Sequence, residues 1–164
     1  MTRPRPKPPE TETETMQTVQ PVKSKKIDSS SVGVTSGSIA RSENRGVYAT
    51  FLKVGNRGLK CYNSPESRDQ HYRYQRTLAN KGLAPYCDDC VDMTLPDGSV
   101  KYAYWSGLAE VAMDRYDGEL FVNNEDCRDL KARLGDAGYD WHDDHSGNWG
   151  YVNGRAVLID CSGY

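Results

Sequence analysis

Apolar positions are sparse at the start of the chain and recur with strand and helix spacing afterwards. The first 30 residues are rich in Pro, Thr, Glu, Lys and Ser and contain few apolar side chains. Such a segment buries too little apolar surface to offset the entropy lost on ordering. We therefore predict a disordered, basic tail over residues 1–31 and a folded part that begins at Val32.

The next 76 or so positions predict strands around one helix. Alternating β-branched and aromatic residues, separated by turn signals, indicate strands over residues 36–40, 46–54, 59–62, 90–95 and 100–108. Ser64 followed by Pro65 is typical of a helix start. We expect that helix to end near Asn80, ahead of Lys81 and Gly82. The last two strands flank the turn at residues 96–99 and form a hairpin.

The C-terminal part predicts a second helix and a final hairpin. After a short segment at residues 114–123, Asn124 is a suitable N-cap for a helix over residues 125–137, and Gly138 is a natural C′ residue. A polar loop at residues 141–148 follows. Two short strands, 149–152 and 156–159, turn at Asn153-Gly154. The order of elements predicts an α+β fold with antiparallel pairing.

Composition indicates a soluble, intracellular protein. Hydrophobic residues make up 37% and charged residues 27% of the 164 positions. No stretch approaches the roughly 20 apolar residues of a membrane span, and the N-terminus lacks the apolar region of a secretory signal. The five cysteines are an odd number and are dispersed. That pattern favours reduced thiols, and therefore a cytoplasmic location, over a disulfide framework.

The net charge of −2 is unevenly divided. Residues 1–26 hold six basic and three acidic groups, so the remainder of the chain is acidic. An acidic body argues against nucleic acid as the main partner of the folded part. The basic segment is more typical of a solvated linker than of a surface that binds anions.

The polar loop near the C-terminus contains the best candidates for chemistry. Asp143 and Asn148 lie five positions apart on a loop that a helix precedes, and Asp160 follows the apolar run 156–159. Phosphoryl transfer needs a carboxylate to position or deprotonate the acceptor hydroxyl. It also needs oxygen ligands that hold Mg²⁺ against nucleotide phosphates. These three residues supply both kinds of group.

This segment resembles the catalytic loop and metal-binding Asp of the protein-kinase-like superfamily, whose protein-kinase form is H-R-D-L-x-x-x-N followed by D-F-G. It is more similar to the small-molecule branch, such as aminoglycoside and choline phosphotransferases, with a loop of the form H-G-D-x-H-x-x-N. Aligned on Asp143, His145 and Asn148 both match. Residues 157–160 match the strand that leads to the metal-binding Asp.

The resemblance implies a phosphotransferase that depends on ATP and Mg²⁺ and acts on a protein or small-molecule acceptor. Asp143 would be the catalytic base, Asn148 and Asp160 the Mg²⁺ ligands, and His145 a residue that stabilises the loop. Residues 32–109 would form a kinase-like small lobe that binds the nucleotide. Residues 110–164 would form a minimal catalytic lobe. The chain would then be a miniature or truncated member of the superfamily, of the compact kind that viruses and mobile elements carry.

Further nucleotide contacts follow from the same resemblance. The small lobe of kinases carries its phosphate-binding Lys on the third strand, and Lys60 occupies that place. Its usual Glu partner on the next helix has no clear counterpart, because Glu66 lies early and Gln70 lies nearer the expected turn. The segment between Gly37 and Gly46 contains no glycine. The expected nucleotide contacts are thus Lys60, Gln70 and, within that segment, Arg45.

Two departures from the family pattern support a different interpretation. Trp141 stands where the family has its first His, and Cys161-Ser162 replaces the Phe-Gly after the metal-binding Asp. A non-catalytic pseudokinase, which binds a nucleotide or a partner protein, is therefore an alternative.

Three other features of the sequence have interpretations outside this family. The cluster His142–His145 is a second alternative, as part of a metal-dependent hydrolase. Cys87 and Cys90 form a C-x-x-C without a second ligand pair nearby in sequence, so we interpret them as ordinary thiols. The tyrosines and tryptophans at strand and helix positions are expected to pack in the core. They lie at Tyr72, Tyr74, Tyr102, Tyr104 and Trp105.

Overall fold

A computed structural model describes residues 20–35, 38, 49–122 and 124–161 and has a mixed α+β fold. The predicted fold class is confirmed at this level. The described strands are β1 (Ser24–Asp28), β2 (Thr50–Val54), β3 (Arg57–Tyr62), β4 (Cys87–Thr94), β5 (Val100–Gly107), β6 (Glu110–Val111), β7 (Trp149–Val152) and β8 (Arg155–Leu158). The described helices are α1 (Pro65–Asn80), α2 (Ala112–Arg115) and α3 (Glu125–Asp136), with a short 3₁₀ turn at Ser29–Val32.

Five strands form one sheet in the order β1-β4-β5-β3-β2. The β2–β3 hairpin, the β3–β5 pair and the β4–β5 hairpin are antiparallel, as predicted. Helix α1 connects β3 to β4 and begins as predicted, with the Ser64 side chain accepting a hydrogen bond from the Ser67 amide at 3.2 Å. The strand predicted at residues 59–62, the helix and the second hairpin therefore lie where the sequence places them.

The start of the described chain differs from the expectation. Residues 24–28 form β1, which pairs in parallel with β4, so that the five-stranded sheet is mixed and not purely antiparallel. The prediction of disorder as far as Ser31 is therefore wrong for residues 24–31. Only Ile27 of this strand packs on the core, which is why the hydrophobic pattern does not reveal it. The strand predicted at residues 36–40 lies outside the described residues apart from Ser38, and so do residues 46–48 of the next one.

The two faces of the five-stranded sheet bury different kinds of side chain. One face is apolar and includes Leu59, Met93 and Ala103, each with essentially no exposure. Strand side chains alternate between faces, so Lys60 and Tyr104 point to the opposite side. That side is covered by α1, with Tyr72 and Tyr104 in edge-to-face contact at 5.5 Å between ring centroids. Both tyrosines and Trp105 are buried, as expected, whereas Tyr74 is exposed.

The C-terminal part has its own core around a three-stranded sheet, β6-β7-β8. The β7–β8 turn is at Asn153 and Gly154, both with positive φ, as the sequence predicts. Helix α3 packs on β8 and buries Leu130 and Leu134 completely. Its N-cap is Asn124, whose side chain accepts from the Cys127 amide at 2.9 Å.

Among the described helices, none combines the length and apolar character that a membrane crossing requires.

Candidate functional site

Lys60 lies on β3 with its ammonium group enclosed between the sheet and the C-terminal part. Its side chain is 8% exposed. Lys60 Nζ donates to Gln75 Oε1 at 2.8 Å and to the carbonyl oxygen of Ile159 at 2.7 Å. An ammonium has three donors, and these two bonds use two of them. Lys60 thus joins β3, α1 and the end of β8, which are far apart in the sequence.

The helix residue that bonds Lys60 is Gln75 and not Gln70. Gln75 is completely buried, and its oxygen also accepts from the Tyr104 hydroxyl at 2.8 Å. Its nitrogen donates to the Pro85 carbonyl at 3.0 Å and to Ser106 Oγ at 2.8 Å. Gln70 is exposed. Residues five positions apart lie on different faces of an α-helix, so Gln70 and Gln75 point in different directions. Gln70 therefore does not bond Lys60, and its expected contact with the nucleotide stays a prediction.

Burial and nearby polar groups act on Lys60 in opposite directions. Burial lowers the pKa of Lys60 below its ordinary value, because the ammonium loses its hydration. The Cys161 sulfur and the Asp160 carboxylate raise that pKa, with less effect. The bond from Lys60 to the carbonyl oxygen of Ile159 brings the ammonium next to Asp160 in the chain, and Asp160 is the acidic side chain that raises the Lys60 pKa. The structure therefore brings the Lys60 and Asp160 of the sequence prediction together.

Asn148 and Asp160 are fixed to each other by the main chain. The carbonyl oxygen of Asn148 accepts from the amides of Ile159 and Asp160 at 2.8 and 3.1 Å. The Asn148 side chain donates from Nδ2 to the carbonyl oxygen of Asp143 at 3.2 Å. The side chains of Asp143 and Asp160 are both exposed. The three residues predicted for catalysis and metal binding are thus linked through one short loop and the end of β8.

His145 makes its contacts within the same loop and with the segment before it. Its Nδ1 accepts from the Gly147 amide at 3.0 Å, and its ring lies edge-on to Phe121 with 5.5 Å between centroids. The Ser146 amide donates to the Leu120 carbonyl at 2.7 Å, and the Ser146 hydroxyl donates to the Glu119 carbonyl. These bonds anchor the loop to residues 119–121.

Leu120 and Phe121 are neighbours of the loop that the hydrophobic pattern does not reveal. Phe121 is 72% exposed and Leu120 is 56% exposed, although both are large and apolar. No helix or strand periodicity marks this segment, because its pairing with the loop is a single bridge between Phe121 and His145. The signal that the sequence does offer is the apolar pair Leu120-Phe121 directly after Asp117-Gly118-Glu119.

The two residues that depart from the family pattern are both buried. Trp141 is in the C-terminal core, and the Lys131 ammonium lies 5.9 Å from the centre of its ring. Cys161 is also buried, and its Sγ lies 3.9 Å from the Ile159 carbonyl oxygen. Burial raises the pKa of the Cys161 thiol to about 12, so the thiol is protonated and unreactive near neutral pH. Both side chains act as packing residues.

The His142–His145 cluster does not converge on one point. His142 Nε2 bonds Asp140 at 2.8 Å, and the Lys131 ammonium bonds Asp144 at 2.6 Å. His145 faces Gly147 and Phe121 instead. In the described part of the chain, no group of three or more His, Cys, Asp or Glu side chains could hold a metal ion. The arrangement gives the hydrolase alternative no support.

The C-x-x-C cysteines and Arg45 lie apart from these contacts. Cys87 and Cys90 are both free thiols, and burial raises their pKa values to about 11 and about 12. Such thiols are poor nucleophiles and poor metal ligands at neutral pH. Arg45 lies outside the described residues, together with most of the segment expected to cover the phosphates.

Comparison with known proteins adds no family assignment. No protein-family model matches the chain, and no curated protein sequence matches it.

Proposed function

We propose that this protein is a kinase-like phosphotransferase that uses ATP and Mg²⁺. The observation that carries the proposal is the enclosed ammonium of Lys60, which bonds α1 through Gln75 and bonds the carbonyl of Ile159, next to Asp160. Transfer of a phosphoryl group is catalysed mainly by positioning and electrostatic stabilisation. A fixed cation beside a carboxylate that is suited to metal binding provides both. The third donor of Lys60 would be the one that meets a phosphate oxygen.

The donor set near Lys60 fits Mg²⁺. Oxygen atoms of Asp and Asn side chains are ligands that Mg²⁺ accepts, usually one or two from the protein with the rest from phosphates and water. The nitrogen of the Asn148 side chain is engaged by the Asp143 carbonyl, so the amide oxygen is the end available to a cation. Asp160 presents an exposed carboxylate. When bound, Mg²⁺ would neutralise charge on the nucleotide phosphates.

The roles of the chain's own residues follow from these positions. Lys60 would hold a phosphate oxygen of the nucleotide, and Gln75 would orient Lys60. Asp143 would accept the proton of the acceptor hydroxyl, since its carboxylate is exposed at the start of the loop. His145 and the bonds from Ser146 would keep that loop in place. The acceptor itself, protein or small molecule, is left open by this proposal.

A non-catalytic nucleotide-binding module is the second candidate, because in the kinase-like interpretation Gln75 would take the place of the Glu that pairs with the Lys in active kinases. A neutral amide holds the ammonium by hydrogen bonds alone. Lys60 then depends on burial and on Asp160 for its electrostatic environment. That arrangement is compatible with nucleotide binding without transfer.

The first experiment measures thermal unfolding with and without Mg-ATP. A ligand at 100 times its Kd adds about 2.7 kcal/mol of stability, which for a chain of this size raises the Tm by roughly 5–10 °C. We expect this rise in the parent and in the control Asp136→Asn, which removes an exposed carboxylate of α3. We expect a much smaller rise in Asp160→Asn. The absence of a shift with millimolar ATP, ADP or GTP would contradict nucleotide binding.

A second measurement separates the two candidates. Transfer of labelled phosphate from the γ-position of ATP to water or added acceptors is compared between the parent and Asp143→Asn. Loss of a general base costs about 10²–10⁴-fold in rate. A drop of that size with an unchanged Mg-ATP stability shift supports the phosphotransferase. A stability shift without any transfer in the parent supports the non-catalytic module.

A further inference from the structure

A groove lies between the C-terminal half of α1 and the turn that follows α3. Its volume is about 370 Å³. Tyr74 and Tyr139 form part of its wall, with 6.4 Å between their ring centroids and an edge-to-face orientation. Arg73 and Thr77 of α1 line it, and so does Lys81, which directly follows the helix. We call this the α1 groove. It combines aromatic and aliphatic surface with two cationic side chains.

The beginning of the described chain runs along α1 toward this groove. The Val22 amide donates to Asp69 Oδ2 at 3.2 Å, and Arg73 donates from Nη2 to the carbonyl oxygen of Gln20. Asp69 is itself fixed by the buried Arg68, whose Nε donates to Oδ1 at 2.8 Å. Going backward along the chain from Val22 to Gln20 therefore means moving from Asp69 to Arg73, toward the C-terminal end of the helix.

The spacing of these contacts shows how far the segment advances for each turn of the helix, which we call its slope. Four residues of a helix advance about 6 Å, and two residues of extended chain advance about 7 Å. The segment is therefore extended and antiparallel to α1, with two of its residues for each four of the helix. Continued at the same slope, residue 18 would reach Thr77 and residue 16 would reach Lys81. Both of these residues line the groove.

The sequence that precedes Gln20 suits this path. Residues 12–19 read Glu-Thr-Glu-Thr-Met-Gln-Thr-Val. Met16 and Val19 supply apolar side chains, and thioethers make favourable contacts with aromatic rings. Glu12 and Glu14 supply negative charge where the helix presents Lys81. The charge and the apolar content of the segment are thus complementary to those of the groove.

We propose that residues 12–19 of this chain occupy the α1 groove, with Thr18 and Val19 passing Tyr74 and with Met16 and Glu14 toward the end of the groove that Lys81 lines. The segment is tethered at Gln20, beside the rim of the groove, so its effective concentration there is on the order of millimolar. Docking then requires only weak intrinsic affinity. The proposal rests on the groove and the path of the chain, and it does not depend on the proposed phosphotransferase activity.

Hydrogen–deuterium exchange on the whole chain tests the proposal. We expect the amides of residues 14–19 to exchange at least tenfold more slowly than in a free peptide of the same sequence. Met16→Asp and Tyr74→Ser should each abolish that protection. The matched controls are Thr2→Asp, which is outside the proposed segment 12–19, and Tyr86→Ser, an exposed tyrosine outside the groove. Both controls should retain the protection.

Three results would overturn the proposal. The first is exchange of residues 14–19 in the parent at the rate of the free peptide. The second is protection that survives both Met16→Asp and Tyr74→Ser, which would place the segment elsewhere. The third is protection that disappears on tenfold dilution, because the groove would then bind the segment of a second copy and not its own.

Discussion

At the scale of single residues, Gln75 is the most heavily engaged side chain near the candidate site. Its amide accepts from Lys60 and Tyr104 and donates to Ser106 and to the Pro85 carbonyl. All four hydrogen-bonding positions of the amide are therefore used in a site without exposure. Buried polar groups of this kind are costly if even one partner is lost.

Replacement of Gln75 by Leu should destabilise the protein by about 3 kcal/mol or more, because Lys60, Tyr104 and Ser106 would all lose a buried partner. The free energy of unfolding in urea measures this loss. The control is Gln70→Leu on the exposed face of the same helix, for which we expect a change within about 0.5 kcal/mol. Equal effects for the two variants would contradict the network.

The pH dependence of stability should report the environment of Lys60. Burial lowers its folded-state pKa below the ordinary value of 10.5, so the unfolded chain binds the proton more strongly. Stability therefore increases as pH rises from the folded-state pKa toward 10.5. In Lys60→Met this contribution is absent, and so is the effect of Lys60 on the pKa values of Cys87 and Cys161, while the contributions of the other cysteines and of the tyrosines remain.

The difference in unfolding free energy between the parent and Lys60→Met reports Lys60 together with its effect on the two neighbouring thiols. We expect the parent to gain stability relative to the variant as the pH is raised from about 7 to about 10.5. A difference that stays constant over this range would mean that the ammonium is not destabilised by burial.

The sequence predicts Lys60 on a strand, and the structure has it on β3. The sequence does not identify Gln75 as its hydrogen-bond partner. The buried positions of α1 are Arg68, Asp69, Tyr72, Gln75 and Leu78, which follow the helical period. Four of these five are polar or amphipathic, so a search for apolar positions does not detect the stripe. Tyr72 and Leu78, three positions before and after Gln75, were the usable signal.

At the scale of elements, turns and caps decide where helices and strands end. Gly154 has a φ of 77° in the β7–β8 turn, whereas Gly135 lies inside α3 with open space where a Cβ would lie. A positive φ costs a residue with a side chain roughly 1–2 kcal/mol, whereas glycine within a helix costs about 0.5–1 kcal/mol relative to alanine. The two glycines should therefore respond to substitution in opposite directions.

We expect Gly154→Ala to destabilise the protein by about 1–2 kcal/mol and Gly135→Ala to stabilise it by about 0.5–1 kcal/mol. Thermal or urea unfolding of the two single variants measures both effects, and each variant serves as the control of the other. A destabilising Gly135→Ala would mean that the glycine is needed for close packing on α3.

The elements that the sequence predicted well are those with local signals. Helices α1 and α3 have side-chain caps at Ser64 and Asn124, and the β7–β8 hairpin has its Asn-Gly turn. Strands β1 and β6 lack such signals. The first has one core residue and the second has only two residues, so their pairing depends on a sheet that already exists.

At the scale of the whole molecule, helix α1 belongs to both parts of the fold. Its Tyr72 packs beneath the five-stranded sheet, whereas Leu78 lies in the core around β7, β8 and α3. The Leu158 amide donates to the Leu83 carbonyl at 2.8 Å, and the Lys60–Ile159 bond adds a second link. These connections favour one cooperative unit over two independent ones.

The variant Leu134→Ala tests this cooperativity. Leu134 is completely buried in the C-terminal core, and its truncation should cost about 2–5 kcal/mol. If the parts unfold together, the most protected amides of β5 and of β8 should lose the same free energy of exchange, within about 1 kcal/mol. Loss of protection at β8 alone would show that the two parts unfold separately.

Because β1 pairs with β4, which lies later in the chain, β1 cannot join the sheet until β4 has been synthesised. The Lys25 ammonium meets Asp89, 64 residues later in the chain, so the first strand is made long before its partner. At a translation rate of about 5–20 residues per second, the delay is roughly 3–13 s. During that time Ser24–Asp28 has no sheet to join. Its adjacent lysines are the kind of charge that keeps an unpaired strand from associating with other chains.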